Sequence, residues 1–252
     1  MLPNPLAPVA ESIEIKARCF SGGTAMVSRS DGAPSTPARL GGFAWLLVLL
    51  WFPVQALVQT TYAAPFSWTR NGLGDLGAAQ CGTVATPGFG EAHQVCSPWH
   101  EVMNTTTAAA GLLGLLALLL TRRELWARGP VADLGVGLLA LALLGKVLSG
   151  AVPEDVHAFA HFAGAALDLG AAPVALLVLG LTVRSERVWL GMFTTSLGAV
   201  ALLGAGLGVP LGLGVAGAER LGAYPVLVWM VGMGVLVIDR TLRVRRRSPA
   251  PI

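Results

Sequence analysis

Long apolar runs alternate with short polar segments along the chain. Six of the runs approach or reach the roughly 17 to 25 residues that a helix needs to cross a ~30 Å hydrocarbon core. They fall at about 42–58, 102–120, 131–148, 157–183, 188–207 and 224–238. This pattern predicts an all-α, polytopic integral membrane protein, a bundle of six transmembrane helices with the lipid bilayer as its principal partner. An even number of spans puts both termini on one side.

The polar segments say which side. Lys16, Arg18, Arg29 and Arg39 precede the first span, and Arg122, Arg123 and Arg128 separate the second from the third. Arg184 and Arg187 separate the fourth from the fifth, and Arg240, Arg243, Arg245, Arg246 and Arg247 follow the sixth. Only Arg70, Lys146 and Arg220 remain of the 17 basic residues. The positive-inside bias therefore predicts cytoplasmic termini. Three parts follow: a disordered cytoplasmic tail over 1–40, a six-helix domain over 41–240 with an outer loop at 59–98, and a basic cytoplasmic tail over 241–252. A cleaved signal peptide is the alternative for the first run, which is short and followed by Ala63 and Ala64. The long tail ahead of it favours a retained span.

Composition sharpens this picture. With 54% hydrophobic and 12% charged residues, the chain lacks the polar surface of a soluble domain. Its net charge of +3 belongs to topology and not to nucleic-acid contact. Cys19 lies alone in the cytoplasmic tail, whereas Cys81 and Cys96 share the outer loop, where oxidation favours a disulfide. Closing that 15-residue separation would stabilise the loop by ~3 kcal/mol on the chain-entropy view, with Pro87, Gly88 and Gly90 supplying a turn.

Candidate chemistry lies in the polar residues that a bilayer makes expensive. In the fourth span His157, His161 and Asp168 stand four and seven apart, on one face of a helix, with Asp168 ~16 Å below His157. Pro153, Glu154 and Asp155 form a tight turn before them. Lys146, two turns below the end of the third span, can lift its ammonium toward the headgroups. Ser97 and Pro98 read as the N-cap and first residue of the second helix, which puts His100 and Asn104 at its head. Asn71 and Asp75, four apart after the first span, fit one short helix aimed at the cavity below. Asp168, His161 and His157 are thus candidate catalytic residues, and Asn71, Asp75, Asn104 and Lys146 candidate substrate-binding ones. His100, His157, His161 and Asp168 are candidate ligands of a divalent metal such as zinc. An interhelical hydrogen-bond network and haem held between His100 and His161 stay open beside that reading. Gly212, Gly214 and Gly217 match a dinucleotide-binding spacing, but no strand precedes them. An enzyme acting at the outer leaflet, on lipid for example, a proton-coupled carrier using Asp168, and a scaffold without catalysis all accommodate these residues.

The run from Asn71 to Gly77, Pro98 and Asn104, the Pro153-Glu154-Asp155 turn before His157 and His161, and Gly217-Ala218-Glu219-Arg220 follow the order found in one family. Over 41–240 the sequence resembles the bacterial and archaeal multi-pass membrane proteins known as domain of unknown function nine hundred and ninety-eight. The resemblance implies six helices in a bacterial plasma membrane and carries no established reaction. It leads one to expect a serine where Gly74 stands. A looser likeness, in residue types alone, is to membrane hydrolases of the alkaline-ceramidase kind, which gather three His, an Asp and a Ser around zinc; the helix order differs, so no role carries over.

Overall fold

The structure, a computed structural model, describes residues 33–84 and 92–247. Cys19, the Pro87-Gly88-Gly90 turn, residues 1–32 of the leading tail and residues 248–252 lie outside the described residues.

Six helices have the length and hydropathy to cross a membrane. The first, α1 (Thr36–Thr60), starts where the Ser35 hydroxyl accepts from the Ala38 amide at 3.3 Å, with Pro37 in the first turn. A 3₁₀ turn at Val48–Leu50 interrupts it. Pro53 explains the interruption, because its ring displaces the carbonyl four residues earlier, at Leu49. α2 (His100–Leu125) and α3 (Pro130–Ala151) follow. They are joined through Gly129, whose φ of 134° is open to glycine and strained for other residues. α4 (Ala158–Val183), α5 (Val188–Leu207) and α6 (Gly214–Arg247) complete the set.

All six expected spans are present, with two differences at their ends. α2 begins at His100 with Trp99 as N-cap, so Ser97 and Pro98 do not cap it. The Ser97 hydroxyl instead donates to the Leu76 carbonyl at 2.7 Å and ties the loop to the bundle. α6 begins ten residues before the expected 224, which takes Glu219 and Arg220 into the helix.

Each helix packs on the next in sequence, and α6 returns to α1, closing a ring; α4 also reaches α6 across it. Small residues let the backbones approach, as they do where lipid supplies no hydrophobic drive between helices. The tightest example joins α3 to α4. A Cβ at Gly145 would lie 2.5 Å from the Gly164 carbonyl oxygen, and one at Gly164 would lie 2.7 Å from the Gly145 oxygen. Gly204 and Gly208 similarly seat α5 on Leu221 and Ala218 of α6.

The ring has two unlike halves. Away from the long loop, Trp229 meets Trp45 edge-on at 5.5 Å and stacks on Trp126 at 5.9 Å. Met230, Met233, Leu139 and Leu179 fill the space around them, and Trp229 Nε1 donates to Thr194 Oγ1 at 3.1 Å. Among the described residues, Asp75, Lys146, His161, Asp168 and Arg220 are ionisable and buried, and the Glu154 side chain is 9% exposed. All of them lie in the loop half.

The loop itself carries an antiparallel hairpin, β1 (Gly82–Val84) and β2 (His93–Val95), in register Gly82↔Val95 and Val84↔His93. A Cys81–Cys96 disulfide closes its base. In a Cys19→Ser background, maleimide should label neither cysteine before reduction and both after it. Labelling of either one in unreduced protein would contradict the bond.

Candidate functional site

α3 and α4 carry a buried ion pair. Lys146 Nζ lies 2.5 Å from Asp168 Oδ2, and the two residues are 4% and 8% exposed. Lys146 was expected to reach for the headgroups. The Gly145–Gly164 contact holds the helices too close for that, and a buried ammonium needs an anion. Asp168 stands ten residues into α4, ~15 Å along its axis.

His161 is one helical turn from the start of α4 and also buried. Its Nδ1 lies 2.8 Å from the Val152 carbonyl oxygen. A carbonyl only accepts, so in the neutral ring Nδ1 carries the proton and the lone pair falls on Nε2. Nε2 lies 4.0 Å from Glu154 Oε2. His157 does not share this face. It is the N-cap of α4, with φ −140° and ψ 73°; its carbonyl accepts the first helical bond, from the His161 amide at 3.1 Å, but its side chain is exposed and outside the cavity that His161 lines.

Lys146, His161, Asp168 and Asn104 line one cavity of about 50 Å³, together with Gly74 and Glu219. That volume admits a few waters or one small polar group. Asn104 Nδ2 donates to the Gly77 carbonyl at 2.8 Å, which holds the loop across the mouth. His100 lies outside the cavity, with Nδ1 3.0 Å from the Ser97 carbonyl oxygen. It lines a separate lateral groove with Glu101 and Thr105, on the other side of Asn104.

Asn71 and Asp75 lie above the cavity in the loop, and residues 71–75 are not one helix. Asn71 accepts from the Ser67 amide at 2.8 Å and donates to Asp75 Oδ2 at 3.0 Å. A 3₁₀ turn occupies Gly74–Gly77. The side-chain bonds of Asn71 win over helix here, as they do in many turns. The same Asp75 oxygen accepts from the Gly72 amide at 2.9 Å and meets His93 Nε2 at 2.8 Å.

Sequence reasoning missed Glu154 and Glu219 as parts of the site. Glu219 Oε2 accepts from the Leu73 amide at 2.8 Å, and the neighbouring Asp155 accepts from the Ala79 and Gln80 amides at 3.0 and 2.7 Å. Asp155 thus clamps the loop, while Glu154 turns inward. A Cβ at Gly74 would stand 2.5 Å from Glu154 Oε2 and 3.1 Å from His161 Nε2. Where the resemblance led one to expect serine, the Glu154 carboxyl occupies the side-chain space. The run of three, Pro153-Glu154-Asp155, was the available signal.

Burial pushes the Glu154 carboxyl up to about 9, helped by a hydrogen bond to Asp75 and by the negative charges of Asp75, Glu219 and Asp155. Burial and Asp75 also push the Tyr62 phenol up. A raised carboxyl means that the folded state holds a proton the unfolded state has lost. The stability Glu154 contributes is therefore complete below its unfolded value of 4.5 and is lost as pH rises toward 9. Its slope is at most ~1.4 kcal/mol per pH unit. Melting temperature measured from pH 5 to 9 should fall in the wild type and fall less in Glu154→Gln. Equal slopes would contradict the burial of this proton.

Among the described residues, no three His, Cys, Asp or Glu side chains group together as a metal-holding set. The family model described as Protein of unknown function (DUF998) matches residues 46–236. No curated protein and no solved structure matches the chain. Running from the first span into the sixth, over well more than half of the chain, the match makes this six-helix, multi-pass membrane protein a member of the DUF998 family.

Proposed function

We propose that the cavity beneath the loop performs acid–base chemistry on a polar group presented by a membrane-soluble substrate, with His161 Nε2 as the proton acceptor. The bond from His161 Nδ1 to the Val152 carbonyl carries this reading, because it fixes the lone pair on Nε2, on the side of Glu154 and the cavity. Lys146, Asp168 and Asn104 hold the reacting group, and Asn71 and Asp75 act at one remove by fixing the loop at Gly74. A substrate too large for about 50 Å³ would offer only its reacting group.

The metal-assisted branch is less well supported. Asp168 would have to leave Lys146, whose charge repels a divalent cation, and His100 and His157 would have to turn inward. A carrier needs a polar path through both halves, and the far half is packed with tryptophan, methionine and leucine. A scaffold gains nothing from an ion pair whose desolvation offsets its attraction.

We place the chain in a bacterial plasma membrane on the family resemblance, with both termini cytoplasmic on the arginine distribution. A fluorescent reporter after Ile252 should then fold and emit, and a dark fusion would reverse the sidedness. For the chemistry, protein in nanodiscs is incubated with a complete membrane lipid extract and the products are followed by mass spectrometry. Turnover by wild type and its loss by ~100-fold or more in folded His161→Gln are expected. Undiminished turnover in that variant, or an extract left unchanged by wild type, would overturn the reading.

A further inference from the structure

Arg220 is a buried guanidinium that the cavity does not use. It is 5% exposed, although arginine rarely leaves water unpaired. Its Nη1 donates to the Ala216 carbonyl at 3.0 Å and to the Trp68 carbonyl at 3.2 Å. The Trp68 and Phe66 rings lie 4.9 and 5.7 Å from the guanidinium carbon. Nε and Nη2 have no hydrogen-bond partner among the described residues.

Those two nitrogens share one edge of the guanidinium. Their N–H bonds run parallel, the geometry that meets two oxygens of a carboxylate or phosphate at once. Neighbouring groups do not fill the place. The neighbouring Glu219 turns its Oε2 to the Leu73 amide. The Tyr224 hydroxyl comes within reach of the guanidinium but makes no hydrogen bond of ordinary geometry to Nε or Nη2; it donates to Gln55 Oε1 at 2.9 Å.

Two of the side chains that touch Arg220, Trp68 and Tyr224, are also walls of a groove of about 480 Å³ lined by Gln55, Gln59 and Thr60. The groove runs beside the loop end of α1, along Gln55, Gln59 and Thr60. Trp68 is 53% exposed, so its ring is free to swing aside from the guanidinium without disturbing the core.

We propose that Arg220 is an oxyanion site, reached from this groove when Trp68 turns away, and that it takes a phosphate group. The phosphate arrives on a lipid headgroup or free in solution, and one experiment separates the two. Full-length protein in detergent is titrated with dihexanoyl phosphatidylglycerol, with inorganic phosphate, and with a short-chain diacylglycerol that has no phosphate. Tryptophan emission and melting temperature report binding. The phosphate-bearing lipid should bind and the diacylglycerol should not. Competition by inorganic phosphate assigns the site to the free anion as well, and absence of competition assigns it to the headgroup.

Arg220→Gln should weaken binding at least tenfold, while Arg70→Gln, at an exposed position, should leave it unchanged. If Arg220→Gln does not fold, Arg220→Lys keeps the charge and removes the paired edge; it should also weaken binding. Trp68→Ala, which uncovers the edge, should tighten it. A wild type that binds neither phosphate compound, binding equal to that of diacylglycerol, or an affinity indifferent to Arg220 and Trp68 would overturn the proposal.

Discussion

Asp168→Asn should lower stability by about 3 kcal/mol or more, and a second change, Lys146→Met, should restore most of the loss. The single variant leaves the Lys146 ammonium at 4% exposure with its only ion-pair partner among the described residues removed. Breaking a buried pair by deleting one partner is costly, whereas replacing both by groups of similar volume is close to neutral. Recovery in a melting assay would establish the pair as one electrostatic unit. The double variant also separates fold from chemistry, since it should melt near wild type and still fail to turn over substrate. A single variant as stable as wild type would show that Lys146 finds another anion.

Gly164→Val should leave little folded protein, and Gly164→Ala should lose roughly 1–3 kcal/mol. The first atom of any side chain there would stand 2.7 Å from the Gly145 oxygen and 2.8 Å from the Ser149 amide nitrogen. Both are backbone atoms, so only separation of α3 from α4 relieves the clash. That separation would stretch the Lys146–Asp168 contact as well, coupling packing to the site. Gly170, six residues on in the same helix, provides the contrast. A Cβ there meets nothing within 4 Å, and Gly170→Ala should change stability by no more than about 0.5 kcal/mol. Equal effects at the two glycines would contradict the packing of α3 on α4.

The six spans were legible because the bilayer imposes a length that no soluble helix must meet, and the disulfide because two cysteines shared one loop. The ends of helices were less legible. Glu219 and Arg220 look like loop residues beside an apolar run, yet they continue α6, where Glu219 accepts from the Leu73 amide and Arg220 Nη1 donates to the Trp68 and Ala216 carbonyls. His157 lies one residue outside α4, enough to remove it from the face of His161 and Asp168. That face was correctly read for the remaining pair. The Lys146–Asp168 bond was not legible, since it depends on two glycines in different helices meeting at the same depth. The inward turn of Glu154 depends likewise on Gly74, a residue that sequence inspection marks only as lacking a side chain.

The proton on His161 decides whether the cavity holds a base. Protein labelled with ¹⁵N histidine in nanodiscs, with His161→Gln to assign the resonance, should show a neutral ring protonated on Nδ1 and unprotonated on Nε2 at a pH above its titration. Exchange of that Nε2 signal with a small proton donor admitted to the cavity should follow. A neutral ring protonated on Nε2 would mean that the Val152 carbonyl does not hold His161, and would contradict the site as described.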